Sequence, residues 1–155
     1  MNRRTLLATT LLIPLGLGAC ASTTPSQLAT DVALIASGLG AAIAAIAAIP
    51  GVPVATVKQL QGYLATIQAD AKAVAAATAT VATGTVQEIA SVVQALAPIA
   101  LSFVPGGSAV WSIVNSALSL LPSVLAAVGV SGASPVKAVY SPDGARLVLR
   151  AATAK

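Results

Sequence analysis

Histidine is absent from this chain, and cysteine occurs once, at Cys20. Metal centres drawn from histidine and cysteine are therefore excluded at the level of composition, as are disulfides within the chain. Aromatic residues make up 3% and charged residues 8% of the 155 positions. So few aromatics leave no stacking platform for bases. The eight lysines and arginines form no stripe that could follow a phosphate backbone, so nucleic acid is not an expected partner. Low charge with 57% hydrophobic residues also excludes ordinary disorder, which needs the opposite balance.

Acidic residues are equally sparse. Beyond the first segment they are Asp31, Asp70, Glu88 and Asp143, well separated along the chain. None pairs with another at the local spacing of a metal site or an acid–base dyad, so no catalytic, cofactor or metal residue is expected. Lys58 and Lys72 read as solvated lysines on the polar side of a helix. Glu88 reads as a residue near a helix N-terminus rather than a general acid. Gly106-Gly107 is a helix breaker without the context of a phosphate loop. The chemistry of an enzyme is missing, and a non-enzymatic protein is expected.

What the chain does have begins at its start. Arg3 and Arg4 precede an uncharged apolar run from Thr5 to Leu17, followed by the small residues Gly18 and Ala19. That is the layout of an export signal, and it is too short for a stable span. Leu17-Gly18-Ala19-Cys20 resembles the lipobox of bacterial lipoproteins. The resemblance implies cleavage between Ala19 and Cys20, and a thioether-linked diacylglycerol on an acylated Cys20. It accounts for an exported thiol that has no partner. Two or more acyl chains anchor stably where one does not. With Ala21 rather than aspartate next, the family rule sends such a protein to the outer membrane, facing the periplasm in a Gram-negative host. Asn2-Arg3-Arg4-Thr5-Leu6-Leu7 resembles a twin-arginine signal, so the export route stays open.

The rest divides into a tether at 20–24, a helical region at 25–130 and a tail at 131–155. Thr24-Pro25-Ser26-Gln27 is a helix start, and Leu28, Val32, Ile35, Leu39, Ala42, Ile46 and Ile49 then share one face up to Pro50-Gly51. From Pro53, the residues Val57, Leu60, Leu64, Ile67, Ala71, Val74, Thr78 and Val81 alternate spacings of three and four, to a stop at Gly84. Thr85-Val86-Gln87-Glu88 is a capping box for a third helix carrying Val86, Ile89, Val93, Leu96, Ala100 and Phe103, kinked at Pro98. Ser108 caps a fourth helix with Val110, Val114, Ala117, Leu121, Val124 and Val128 on its stripe, a kink at Pro122 and a stop at Gly129. Its Ser112, Ser116, Ser119 and Ser123 form a polar counterpart suited to water. Short connections favour an up-down four-helix bundle, all-α and alanine-rich, with Leu60, Leu64, Ile67, Leu96, Phe103, Trp111 and Leu121 as its large core side chains. Ser37/Ala41 and Gly38/Ala42 match the small-xxx-small pattern of closely packed helices.

The tail reads as a small β-hairpin. Lys137 to Tyr140 and Arg146 to Arg150 flank Ser141-Pro-Asp-Gly144, with Leu147 and Leu149 on one side and Arg146, Val148 and Arg150 on the other. Tyr140 to Val148 also resembles a strand-turn-strand piece of β-propeller repeats, here in a single copy.

Two functions compete. One is a lipid-anchored envelope protein, held to the membrane through Cys20, whose bundle binds another envelope protein or supports the surface. Its tether from Cys20 to Thr24 reaches about 15 Å, so the bundle sits against the membrane. The other is a membrane-inserting pore-forming or lysis protein, because nothing ionisable lies between Val32 and Val57 or between Ile89 and Val136. Carriage of a small apolar ligand between kinked helices is a third.

Overall fold

A computed structural model describes residues 24–77, 83–106, 108–130 and 138–154. They form five helices: α1 (Pro25–Ala47), α2 (Val54–Ala76), α3 (Thr83–Ser102), α4 (Ala109–Ala127) and α5 (Pro142–Thr153). No strand occurs among the described residues. The described part of the chain is all-helical. Contacts run α1 to α2, α2 to α3, α3 to α4 and α4 back to α1, a closed ring, and α5 lies on the seam between α1 and α4.

The apolar stripes become the core. Leu28, Val32, Ile35, Leu39, Ala42 and Ile46 of α1 are all buried, as are Val86, Ile89, Val93, Leu96 and Ala100 of α3. Leu60, Ile67, Ala71 and Val74 are the buried positions of α2. Of the seven expected large core residues, Leu60, Ile67, Leu96 and Leu121 are fully enclosed, while Leu64, Phe103 and Trp111 are half-buried against the core. Lys58, Gln61, Gln68 and Lys72 are exposed.

Local signals account for most helix ends. The Thr24 hydroxyl accepts from the Gln27 N–H at 3.3 Å, and Pro25 occupies the first turn, where its missing donor costs nothing. The Ser108 hydroxyl accepts from the Trp111 N–H at 3.2 Å and starts α4. Gly51 at φ +91° and Gly129 at φ +77° follow α1 and α4 in the left-handed region that favours glycine.

Two expectations about ends need correction. The second helix stops at Ala76 rather than at Gly84, leaving Thr78 and Val81 outside the described residues. Thr83 and Gly84 lie inside the first turn of α3, so Thr85 is no cap.

The larger correction concerns the tail: from Pro142 it is a helix and not the second half of a hairpin. Ser141 is an N-cap whose hydroxyl accepts from the Gly144 N–H at 3.2 Å, Pro142 takes the first turn, and Asp143 is the acidic first-turn residue. The four residues that suit a tight turn therefore equally suit a helix start. Leu147 and Leu149, expected on one side, point apart: the first is 67% exposed and the second fully buried. They are two residues apart, which on a helix is about 200° of rotation.

Candidate functional site

Ala19 and Cys20, the expected cleavage and lipidation positions, lie outside the described residues. Among the described residues no group of three or more histidine, cysteine, aspartate or glutamate side chains is placed to hold a metal. What the fold does assemble is a docking site for α5 on α1 and α4, built from three contacts of different kinds.

The first is ionic. Asp31, on α1 beside the apolar stripe, is only 1% exposed. Arg146 of α5 meets it with both edges of its fork: Nε donates to Oδ1 at 2.8 Å and Nη2 to Oδ2 at 2.7 Å. Its remaining Nη1 donates to Asp143 Oδ1 at 2.8 Å. This bidentate geometry is the one arginine makes and lysine cannot. The hydrogen bond to Asp31 is the first reason the Arg146 pKa lies above its ordinary value, so no accessible pH discharges it.

The second contact is steric. A Cβ on Gly38 would come within 2.5 Å of Leu149 Cδ2 and 3.5 Å of Ile113 Cγ2. The missing side chain is a notch in α1 that takes Leu149. One of the small-xxx-small pairs, Gly38 and Ala42, thus lies in the core of this chain, and its glycine receives α5.

The third is a tether. Ser119 Oγ of α4 donates to the Asn115 carbonyl at 2.7 Å and accepts from the N–H groups of Val139 and Tyr140 at 3.1 and 3.2 Å. It fixes the chain just before α5 begins. This revises the serine stripe of α4: Ser116 and Ser119 are buried rather than water-facing. Burial is tolerated because each hydroxyl bonds a carbonyl of its own helix, as Ser116 does to Ser112 at 2.7 Å.

Ala45, Ala109, Val110, Ser112, Ile113, Val148, Ala151 and Ala152 line an open groove of about 550 Å³. The groove runs beside the second half of α5, whose Leu149 is nonetheless fully buried in the Gly38 notch. The fully buried side chains of α5 are Ala145 and Leu149 alone, which by burial stabilise docking by about 2–3 kcal/mol.

Elsewhere, Asp70 on α2 carries a buried Oδ2 with no hydrogen-bond partner among the described residues. Desolvation first, and the charge of Glu88 on α3 second, raise its pKa above the usual 3.8. The folded state therefore holds the Asp70 proton better than the unfolded chain. That contribution is complete below pH 3.8 and is lost as pH rises through the folded-state pKa, leaving charged Asp70 as a liability at neutral pH. Asp70→Asn is expected to stabilise the fold by up to about 1 kcal/mol at pH 7 and to gain nothing at pH 3. Urea titrations at the two pH values check this, and an equal effect at both would contradict it.

Of the sequence-derived residues, Lys58 and Lys72 are exposed on α2, Trp111 packs half-buried on the core, and Glu88 is exposed. The pairing of Asp31 with Arg146 was not anticipated. Its signal is a carboxylate adjoining an apolar stripe, a position that calls for a buried cation. No protein-family model, curated protein or solved structure matches the chain, so its function must be reasoned from its own residues.

Proposed function

We propose that this is a non-enzymatic, lipid-anchored protein of the bacterial cell envelope, whose up-down helical bundle binds another envelope protein or braces the membrane surface. The observation that carries the reading is the lipobox-like Leu17-Gly18-Ala19-Cys20 placed five residues ahead of a capped helix at Pro25. In this reading Cys20 holds the lipid and the segment to Thr24 is a short tether. Burial supports a water-facing bundle. The large side chains of α1 and α3 point inward, and their exposed positions are mostly alanine, serine, threonine and glutamine.

The test is mass spectrometry of the mature protein from its native membrane. Diacylglycerol on Cys20 and an N-terminus at that residue are expected, and Cys20→Ser should abolish both. Unmodified Cys20 in the mature wild type would refute the anchor.

Membrane insertion stays as a second reading because α1, α3 and α4 are long and apolar enough to cross a bilayer. Between 39% and 56% of each apolar window is buried within the bundle, so insertion would require opening it. Residues Thr24–Lys155, prepared without lipid, are expected to remain soluble and leave liposomes intact. Flotation with release of a trapped dye would favour the pore.

A further inference from the structure

We infer that α5 is a releasable strap over a binding site for a partner helix, with the Asp31–Arg146 pair as its latch. This rests on the protein-binding reading above and names the surface and the chemistry of its partner.

The first support is how α5 is held. It lies outside the ring of the other four helices and packs chiefly on α1 and α4. Two of its side chains, Ala145 and Leu149, are fully buried, and beside Leu149 the residues Val148, Ala151 and Ala152 border the open groove. Release therefore uncovers a limited apolar surface and leaves the ring contacts intact. The latch itself opens cheaply. Separating Arg146 from Asp31 returns both charges to water, and hydration offsets most of the lost attraction. Such a pair sets register and selects a partner more than it deepens binding.

The second support is what release would uncover. The seam carries the Gly38 notch, Ile113 and groove walls that are apolar apart from Ser112, with Asp31 at one end. A carboxylate in an otherwise uncharged seam demands a cation from whatever lies there. The occupant is thus an amphipathic helix presenting an arginine and, three residues on, a leucine for the notch, as α5 does with Arg146 and Leu149. An uncharged apolar helix would bury Asp31 unpaired and be rejected. In this chain α5 plays the part of the partner and must leave before the partner binds.

The test combines hydrogen exchange on the full mature chain with binding of a labelled peptide of residues 138–154. In wild type the α5 amides should exchange at least tenfold faster than those of α1 and α4. Arg146→Gln should speed α5 a further tenfold without changing α1 to α4. The peptide should bind Arg146→Gln at least tenfold more tightly than wild type, and a peptide that itself carries Arg146→Gln, with Arg150 kept, should not bind. Exchange of α5 in step with α1 and α4, or no change in Arg146→Gln, would overturn the strap. Release without peptide binding, or equal binding of the glutamine peptide, would overturn the partner site while leaving the lipid-anchor reading intact. If Arg146→Gln loses helicity throughout, Ser119→Ala carries the same exchange expectation, since it frees the lead-in to α5 and leaves Asp31 paired. Loss of helicity in both variants would show α5 to be part of the cooperative core and would refute the inference.

Discussion

Ile67→Ala is expected to destabilise the fold by about 2–5 kcal/mol, while Gln61→Ala six residues earlier should stay within about 0.5 kcal/mol of neutral. Ile67 is fully enclosed on α2, facing the stripes of its neighbours, and Gln61 is exposed on the same helix. The cost has two parts: the transfer free energy of the lost methyl and methylene groups, and the cavity left behind. Alanine-rich neighbours enlarge the second part, because they have no long side chains that could swing into the gap. Leu64 is a weaker probe than its place in the three-four seam suggests. It is half-buried, lying over Gly40 of α1, so its truncation is expected to cost less than that of Ile67. Equal denaturation midpoints for Ile67→Ala and Gln61→Ala would show that α2 does not face the core as described.

The contrast between Leu64 and Ile67 marks how far the sequence can be read. A period of three and four identifies the face of a helix, and it does so for α1 and α3 nearly residue by residue, whereas α4 is buried on almost every side from Ile113 to Leu121. It does not tell how deep each position lies, which depends on how closely the neighbour approaches. Gly40 and Gly38 set that approach on opposite sides of α1, one beneath Leu64 and the other beneath Leu149. Neither relation is local in sequence.

The tail is ambiguous in sequence for a related reason. Ser141-Pro142-Asp143-Gly144 has the same local chemistry at a tight turn and at a helix start, because both need a side-chain acceptor followed by a residue with fixed φ. What separates them is the residue that follows. Ala145, Leu149 and Ala152 recur at four and three, a helical stripe that meets α1 and α4. The alternating reading of Arg146 to Arg150 competes with it over too few residues to be decisive. Ser119 then fixes the outcome from 20 positions away by accepting the Val139 N–H. The serine stripe of α4 was open to the same error, since its polarity is turned inward onto its own carbonyls and covered by a helix that the sequence did not reveal. The docking site of α5 is not legible in the sequence, and Cys20, the expected lipidation position, lies outside the described residues.

The ion pair beneath α5 is expected to behave asymmetrically. Arg146→Ala should remove α5 from the bundle at a cost of about 2–4 kcal/mol, whereas Asp31→Ala should cost about 1 kcal/mol or less. Arg146 is 17% exposed at its side chain and keeps Asp143 as a partner when Asp31 is lost. Asp31 has no such reserve. Among the described residues its two oxygens are bonded to Arg146 alone, and the residue is 1% exposed. Without Arg146 the docked state would hold an unpaired carboxylate out of water, and the chain avoids that by letting α5 go. The cost of Arg146→Ala is therefore bounded by what docking contributes, chiefly the burial of Leu149. The double variant supplies the decisive comparison. With both charges gone the docked state no longer buries an unpaired carboxylate, so Asp31→Ala combined with Arg146→Ala should be more stable than Arg146→Ala alone. Thermal melts of the three variants measure this directly, and a double variant less stable than Arg146→Ala would show that the buried carboxylate is held by something other than the arginine.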